Sequence, residues 1–228
     1  ALDLGSGTGF GGTIKVTSND GPEDGVINYP SAELTVRDTY IQGRSQAVTK
    51  LAQVGGGIFV SGDVRRNYGL SGSPVIGNPT VNRAPVIIER TVFADCDVDS
   101  GGITGQGSGG AMSMSLVDLN VDDVLIIGSD AVGTGSTGGA LRVTNESALD
   151  VNTTTFAKNT AVLYGGAVFA AGTELDLNAC MLFDNEISPG VSEPEGQSYG
   201  AAIFSAPIVN AFPGIDLPVT GQVSSSTL

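Results

Sequence analysis

The chain has 228 residues, of which 40% are apolar, 15% charged and 6% aromatic, with 34 glycines and neither histidine nor tryptophan. That much apolar material excludes disorder as the default, and glycine at this level without a G-X-Y period belongs to turn-rich all-β or solenoid folds rather than to long helices. Twenty-four acidic against ten basic residues give a formal charge of −14, spread along the chain, which makes nucleic acid and anionic lipid poor partners and favours divalent cations and cationic surfaces.

In chain order, Ala1 to Gly7 carries no basic stretch and no initiator methionine precedes it, as expected of a processed or excised piece. Residues 1–10, with Leu2, Leu4 and Phe10, hold apolar material to cap a strand edge. A signature of Gly, Gly or Ala, any residue, apolar, any residue, small or apolar then begins at Gly11-Gly12-Thr13-Ile14-Lys15-Val16. Residues 17–31 read as a loop excursion. A second signature, apolar-x-apolar-x4-apolar-x2-small or polar, follows at Leu34, Val36, Ile41 and Arg44.

The first signature returns at Gly55-Gly56-Gly57-Ile58-Phe59-Val60, and residues 61–82 form the largest excursion, with Arg65-Arg66, Pro74 and Gly77-Asn78-Pro79. The second returns at Val86, Ile88, Phe93 and Cys96. Both recur at Gly109-Gly110-Ala111-Met112 with Leu119, Val121, Ile126, Ser129, and at Gly138-Gly139-Ala140-Leu141 with Leu149, Val151, Phe156, Asn159. They recur again at Gly165-Gly166-Ala167-Val168 with Leu175, Leu177, Leu182, Asn185. A Pro- and Glu-rich excursion over 186–199 precedes the last glycine copy, Gly200-Ala201-Ala202-Ile203. Residues 206–228, with Ile208, Val209, Phe212, Ile215 and Val219, read as a C-terminal cap or tail.

Alternation at i and i+2 marks strands with one buried face, and the four-residue gap resets the phase as a bend between two sheets would. Single copies cannot bury their own inner faces, so the repeats predict one domain over residues 1–228: an all-β, right-handed parallel β-helix of about five to six irregular rungs over 11–205, with loop excursions. Equivalent apolar residues then stack about 4.8 Å apart. The Gly-Gly-Ala-apolar and Phe-x-x-Asn pairing, complete at Gly165-Gly166-Ala167 with Phe156-Ala157-Lys158-Asn159, resembles the polymorphic outer-membrane protein repeats of bacterial surface proteins. That resemblance implies a right-handed β-helix used in adhesion or surface architecture. It covers about residues 109–205 well; Arg44, Cys96 and Ser129 depart from its asparagine.

Without histidine, the common catalytic triads and His-metal sites are excluded. The best catalytic candidates are Asp150 and Asp176, which the register places outward on adjacent rungs with Asp118 and Glu174 on the same face. Carboxylates about 5 Å apart serve retaining glycosidases, and the same geometry suits an oxygen-ligated cation, but the bland alternative is a solvated acidic face. No row of Arg or Lys accompanies them to seat a uronate. Asp95, Asp97 and Asp99 have the spacing of a calcium loop without the glutamate that an EF-hand requires, so Ca2+ is a weak candidate and no other cofactor is implied.

Cys96 and Cys180 fall about three rungs, or roughly 14 Å, apart, beyond the roughly 7 Å that a disulfide spans, and are predicted to be unbonded to each other. Phe59, Phe169 and Phe204 project from the outer face of the glycine signature among small residues, as a partner surface or as a face covered by the chain itself. Asn145 and Asn152 fit the N-glycosylation acceptor pattern.

These features predict a secreted or cell-surface structural or adhesive protein rather than an enzyme, acting on copies of itself or on surface and matrix proteins, in a filament or glycoprotein layer. The alternatives are a small polysaccharide lyase or glycoside hydrolase using Asp150 and Asp176, or a carbohydrate-binding module. No stretch approaches the roughly 20 apolar residues of a membrane-spanning helix.

Overall fold

The computed structural model describes residues 14–17, 33–43, 55–65, 80–99, 108–188, 199–212, 215–217, 220–224 and 226–227. All regular elements among them are strands; there is no helix among the described residues. The strands form four parallel sheets, an arrangement compatible with a β-helix, and two antiparallel pairs.

The six-stranded glycine sheet runs Ile14–Thr17, Ile58–Ser61, Met112–Ser115, Leu141–Thr144, Val168–Ala171, Ile203–Ala206. Its register pairs Ile14, Ile58, Met112, Leu141, Val168 and Ile203 in one column, as the first signature predicts. The six-stranded acidic sheet runs Leu34–Arg37, Ala84–Glu89, Val117–Asp122, Ala148–Asn152, Glu174–Asn178, Thr220–Ser224. Here Leu34, Val86, Leu119, Leu149 and Leu175 stack, with Val36, Ile88, Val121, Val151 and Leu177 two residues on.

A third sheet, Tyr40–Gln42, Val92–Ala94, Leu125–Ile127, Thr155–Ala157, Met181–Phe183, stacks Ile41, Phe93, Ile126, Phe156 and Leu182. A narrow fourth sheet of Val98–Asp99, Asp130–Val132, Thr160–Ala161 and Glu186–Ile187 completes the set. The inward columns of the first three sheets bury one continuous core in which Phe93, Phe156, Ile58, Met112 and Leu141 are fully covered.

Local chemistry explains both the glycines and the bends. Gly165 has φ +64°, and a Cβ on Gly139 would run into the carbonyl oxygen of Gly166 in the next repeat, so backbones touch where a side chain cannot fit. The four-residue gap of the second signature holds a column in the left-handed region, Asp38, Arg90, Asp123, Thr153 and Ala179, with φ between 45° and 53°. A hydroxyl ties the bend down in most repeats: Thr39, Thr91, Thr154 and Ser226 each donate to the carbonyl two residues back at 2.7 to 2.9 Å, whereas Val124 after Asp123 has none. Cys180 takes that place in its repeat, its thiol 3.4 Å from Asn178 O.

At the end of the second signature, Asn159 is fully buried; its Oδ1 accepts the Ser129 N–H at 3.0 Å and its Nδ2 donates to Ile126 O at 3.1 Å. Asn185 repeats both bonds, to Asn159 N–H and Phe156 O. Ser129 keeps the ladder going, its Oγ accepting the Cys96 N–H at 3.4 Å. The departure from asparagine in the first half therefore shortens the side chain without ending the ladder at Ser129.

Two excursions leave as antiparallel pairs. Asp63–Arg65 pairs with Thr80–Asn82 at the base of the largest one, and Ile208–Phe212 pairs with Ile215–Leu217. Residues 66–79, 18–31 and 189–198 of the predicted excursions, the glycines of the first copy, Arg44, Val219 and the 1–10 cap lie outside the described residues. Within the expected C-terminal cap or tail, Thr220–Ser224 continues the acidic sheet in register with Glu174–Asn178, and Thr227 bridges Met181. Gly221 and Val223 stand where Leu175 and Leu177 stand one repeat earlier, so this last layer is thin and Val223 is 47% exposed.

Candidate functional site

The acidic sheet sets Asp150 directly beside Asp176, both exposed, as the register predicts. Each is held by an amide: Asn152 Nδ2 donates to Asp150 at 2.9 Å, and the Gln222 N–H donates to Asp176 at 3.0 Å. A polar chain continues from Asn152 to Asn178 and Ser224. Asp118 and Glu174 are not opposite each other; Ala148 lies between them. They share Arg83, 3.1 Å from Asp118 and 3.9 Å from Glu174, a cation that the sequence pattern misses because it sits one residue ahead of its strand. The face can accept hydrogen bonds from hydroxyls or coordinate an oxygen-loving cation. Its exposed ion pairs add at most about 1 kcal/mol each.

Asp95, Asp97 and Asp99 diverge. Asp97 is buried and accepts the Asp130 N–H at 3.1 Å, whereas Asp95 and Asp99 are exposed. No group of three or more acidic or thiol ligands able to hold a metal occurs among the described residues.

Both cysteines are free and buried, flanking strands of the third sheet with two strands between them. The Cys96 thiol lies 3.5 Å from Ala94 O, and burial pushes it up to about 12. Burial raises Cys180 as well. Neither is an activated nucleophile.

The two acceptor tripeptides have structural uses. The Asn145 Nδ2 donates to Ser115 Oγ at 2.9 Å, and the fully buried Ser147 donates to Thr144 O and accepts the Val117 N–H. Asn152 belongs to the outer amide chain, and Thr154 is the buried hydroxyl of a bend.

On the outer face of the glycine sheet, one column reads Phe59, Ser113, Arg142, Phe169, Phe204. Phe59 is thus separated from Phe169 by Ser113 and Arg142, and the three phenylalanines do not form one patch. The patch that does form joins Phe169 and Phe204, 5.7 Å apart and 9° from parallel, to Tyr164 and Tyr199. Tyr164 lies 4.4 Å from Phe204 and 6.1 Å from Tyr199, and Tyr199 is 54% exposed. The sequence signal for the tyrosines is their place: each precedes the first glycine of its copy, and Thr137, Tyr164 and Tyr199 bridge in turn.

Arg142 closes this aromatic column, with its guanidinium carbon 5.8 Å from the Phe169 ring centre. Its Nε is buried without a hydrogen-bond partner, and Nη1 lies 3.5 Å from Thr144 Oγ1. Burial lowers its pKa. A cation over a ring recovers about 0.5–2 kcal/mol, and the half-buried Arg142 keeps part of its side chain in water.

The third sheet has a second apolar surface. Tyr40, Met181 and Phe183 are 62%, 51% and 44% exposed, with Val92, Leu125 and Ile127 half-buried between them. Its signal is the short unbroken apolar run, Leu125-Ile126-Ile127 and Met181-Leu182-Phe183, where alternation would place polar residues. Compared with protein-family models, curated proteins and solved structures, the chain has no match.

Proposed function

We propose that the chain is a right-handed parallel β-helix that works outside the cell as a structural or adhesive surface protein, related in kind to the polymorphic outer-membrane repeats its Gly-Gly-Ala and Phe-x-x-Asn pattern resembles. Right-handedness follows from the crossover rule for parallel strands. The observation that carries the reading is the aromatic column Tyr164, Phe169, Tyr199 and Phe204, ordered on a sheet face and partly open to solvent. Aromatic side chains bury large areas at low entropic cost and anchor contact surfaces. Partners are surface or matrix molecules, glycans among them, or further copies of the chain.

The test is retention of the purified chain on matrix-protein and polysaccharide surfaces, with sedimentation measured in parallel. Retention or concentration-dependent association that falls about tenfold in Tyr199→Ser with Phe204→Ser is expected for loss of one aromatic hot spot. A chain that stays monomeric at every concentration and adheres to nothing overturns the reading.

The second reading is a polysaccharide-degrading enzyme at Asp150 and Asp176, favoured by their side-by-side register and by Arg83 at the same face. Incubation with acidic glycans decides it: products released by the native chain and lost in Asp150→Asn and Asp176→Asn would replace the adhesive reading.

A further inference from the structure

Arg142 stands apart from the other arginines with ion pairs. Arg37, Arg83 and Arg90 each meet a carboxylate, at 2.8, 3.1 and 2.7 Å. Arg142 meets none among the described residues, although acidic residues outnumber basic ones 24 to 10. Its buried Nε has no acceptor, its contact to Thr144 is 3.5 Å long, and its neighbours across the sheet are the buried Ser113 and Phe169. Arg142 as a whole is half-buried, so part of its side chain stays reachable from solvent, and none of its nitrogens meets a carboxylate among the described residues.

We propose that Arg142 anchors a ring-borne carboxylate, of the kind a uronic acid presents, with the ring of the ligand against the Phe169 end of the aromatic column. This rests on the reading of that column as the contact surface and names the chemistry of its partner. The planar guanidinium fork matches a carboxylate with two parallel hydrogen bonds. Tyr164 and Phe169, 6.3 Å apart and 25° from parallel, supply the apolar wall beside it. A lone guanidinium in a chain of charge −14 selects a single carboxylate over a polyanion, which the field of the whole molecule repels.

The experiment titrates the full chain with galacturonic acid, galactose and benzoate, by calorimetry and by chemical shifts of the tyrosine rings. Galacturonic acid is expected to bind at least about tenfold tighter than galactose, with the difference gone in Arg142→Gln, since it is carried by one charge-assisted hydrogen-bonded pair. Because removing an unpaired charge relieves the fold, Arg142→Met is expected to melt no lower than the native chain. A lower melting temperature in Arg142→Met, equal affinity for galactose and galacturonic acid, or a folded Arg142→Gln that binds galacturonic acid unchanged would each overturn the inference and leave the adhesive reading standing. Benzoate bound in place of galacturonic acid overturns the sugar and keeps only an aromatic carboxylate. Failure of the retention assay above removes the surface itself.

Discussion

Asn159 shows how one side chain can join three repeats. It accepts from Ser129, donates to Ile126 and to Asn185 Oδ1 at 2.9 Å, and is fully buried. Asn159→Ala leaves the Ser129 N–H and the Ile126 carbonyl without that partner, so it is expected to lower unfolding free energy by about 2–4 kcal/mol in urea titration. Cys96 carries a different dependence. Its thiol moves from an ordinary 9.0 to about 12, so the unfolded chain loses this proton first as pH rises. The stabilising contribution is complete below pH 9.0 and is lost progressively between 9.0 and about 12. Denaturant midpoints measured over pH 8 to 11 should therefore fall more steeply in the native chain than in Cys96→Ser. The asparagine position was legible from Phe-x-x-Asn, but the hydroxyl column was not, because Thr39, Thr91, Thr154, Cys180 and Ser226 share a bond rather than a residue type.

At the scale of the strand, period-two alternation located the inward columns because each strand buries one face against the same core. Repetition supplied what a single strand lacks: a neighbour of known identity. The sixth strand of the acidic sheet escaped for two physical reasons. Gly221 replaces the leucine that would have marked it, and the hairpin of Ile208–Phe212 with Ile215–Leu217 separates it from its glycine copy. The aromatic patch was half legible, since Phe169 and Phe204 lie in the alternating strand while Tyr164 and Tyr199 precede it. The sharpest test of the contacts between repeats is Gly139→Ala, whose methyl would strike the carbonyl oxygen of Gly166. Because backbone rather than a flexible side chain is struck, a loss above about 2 kcal/mol and a lower melting temperature are expected.

For the whole molecule, two apolar surfaces and a net charge of −14 act in opposite directions. Charge repulsion keeps copies apart at low salt, and screening shortens its reach to about 8 Å at physiological ionic strength. The exposed Tyr40, Met181 and Phe183 then become available for association. Light scattering should show salt-promoted association in the native chain, reduced in Met181→Lys with Phe183→Lys; association unchanged by those substitutions would assign it to another surface.

The matched columns also bear on how such a gene can change length. From Gly138 to Tyr164 the chain passes once through the glycine, acidic, third and fourth sheets and returns to the glycine column one strand along. The two ends of that segment meet equivalent neighbours, so an in-frame duplication of its codons would insert a layer whose upper and lower contacts already exist. Unequal recombination between such segments would therefore lengthen or shorten each of the four sheets by one strand.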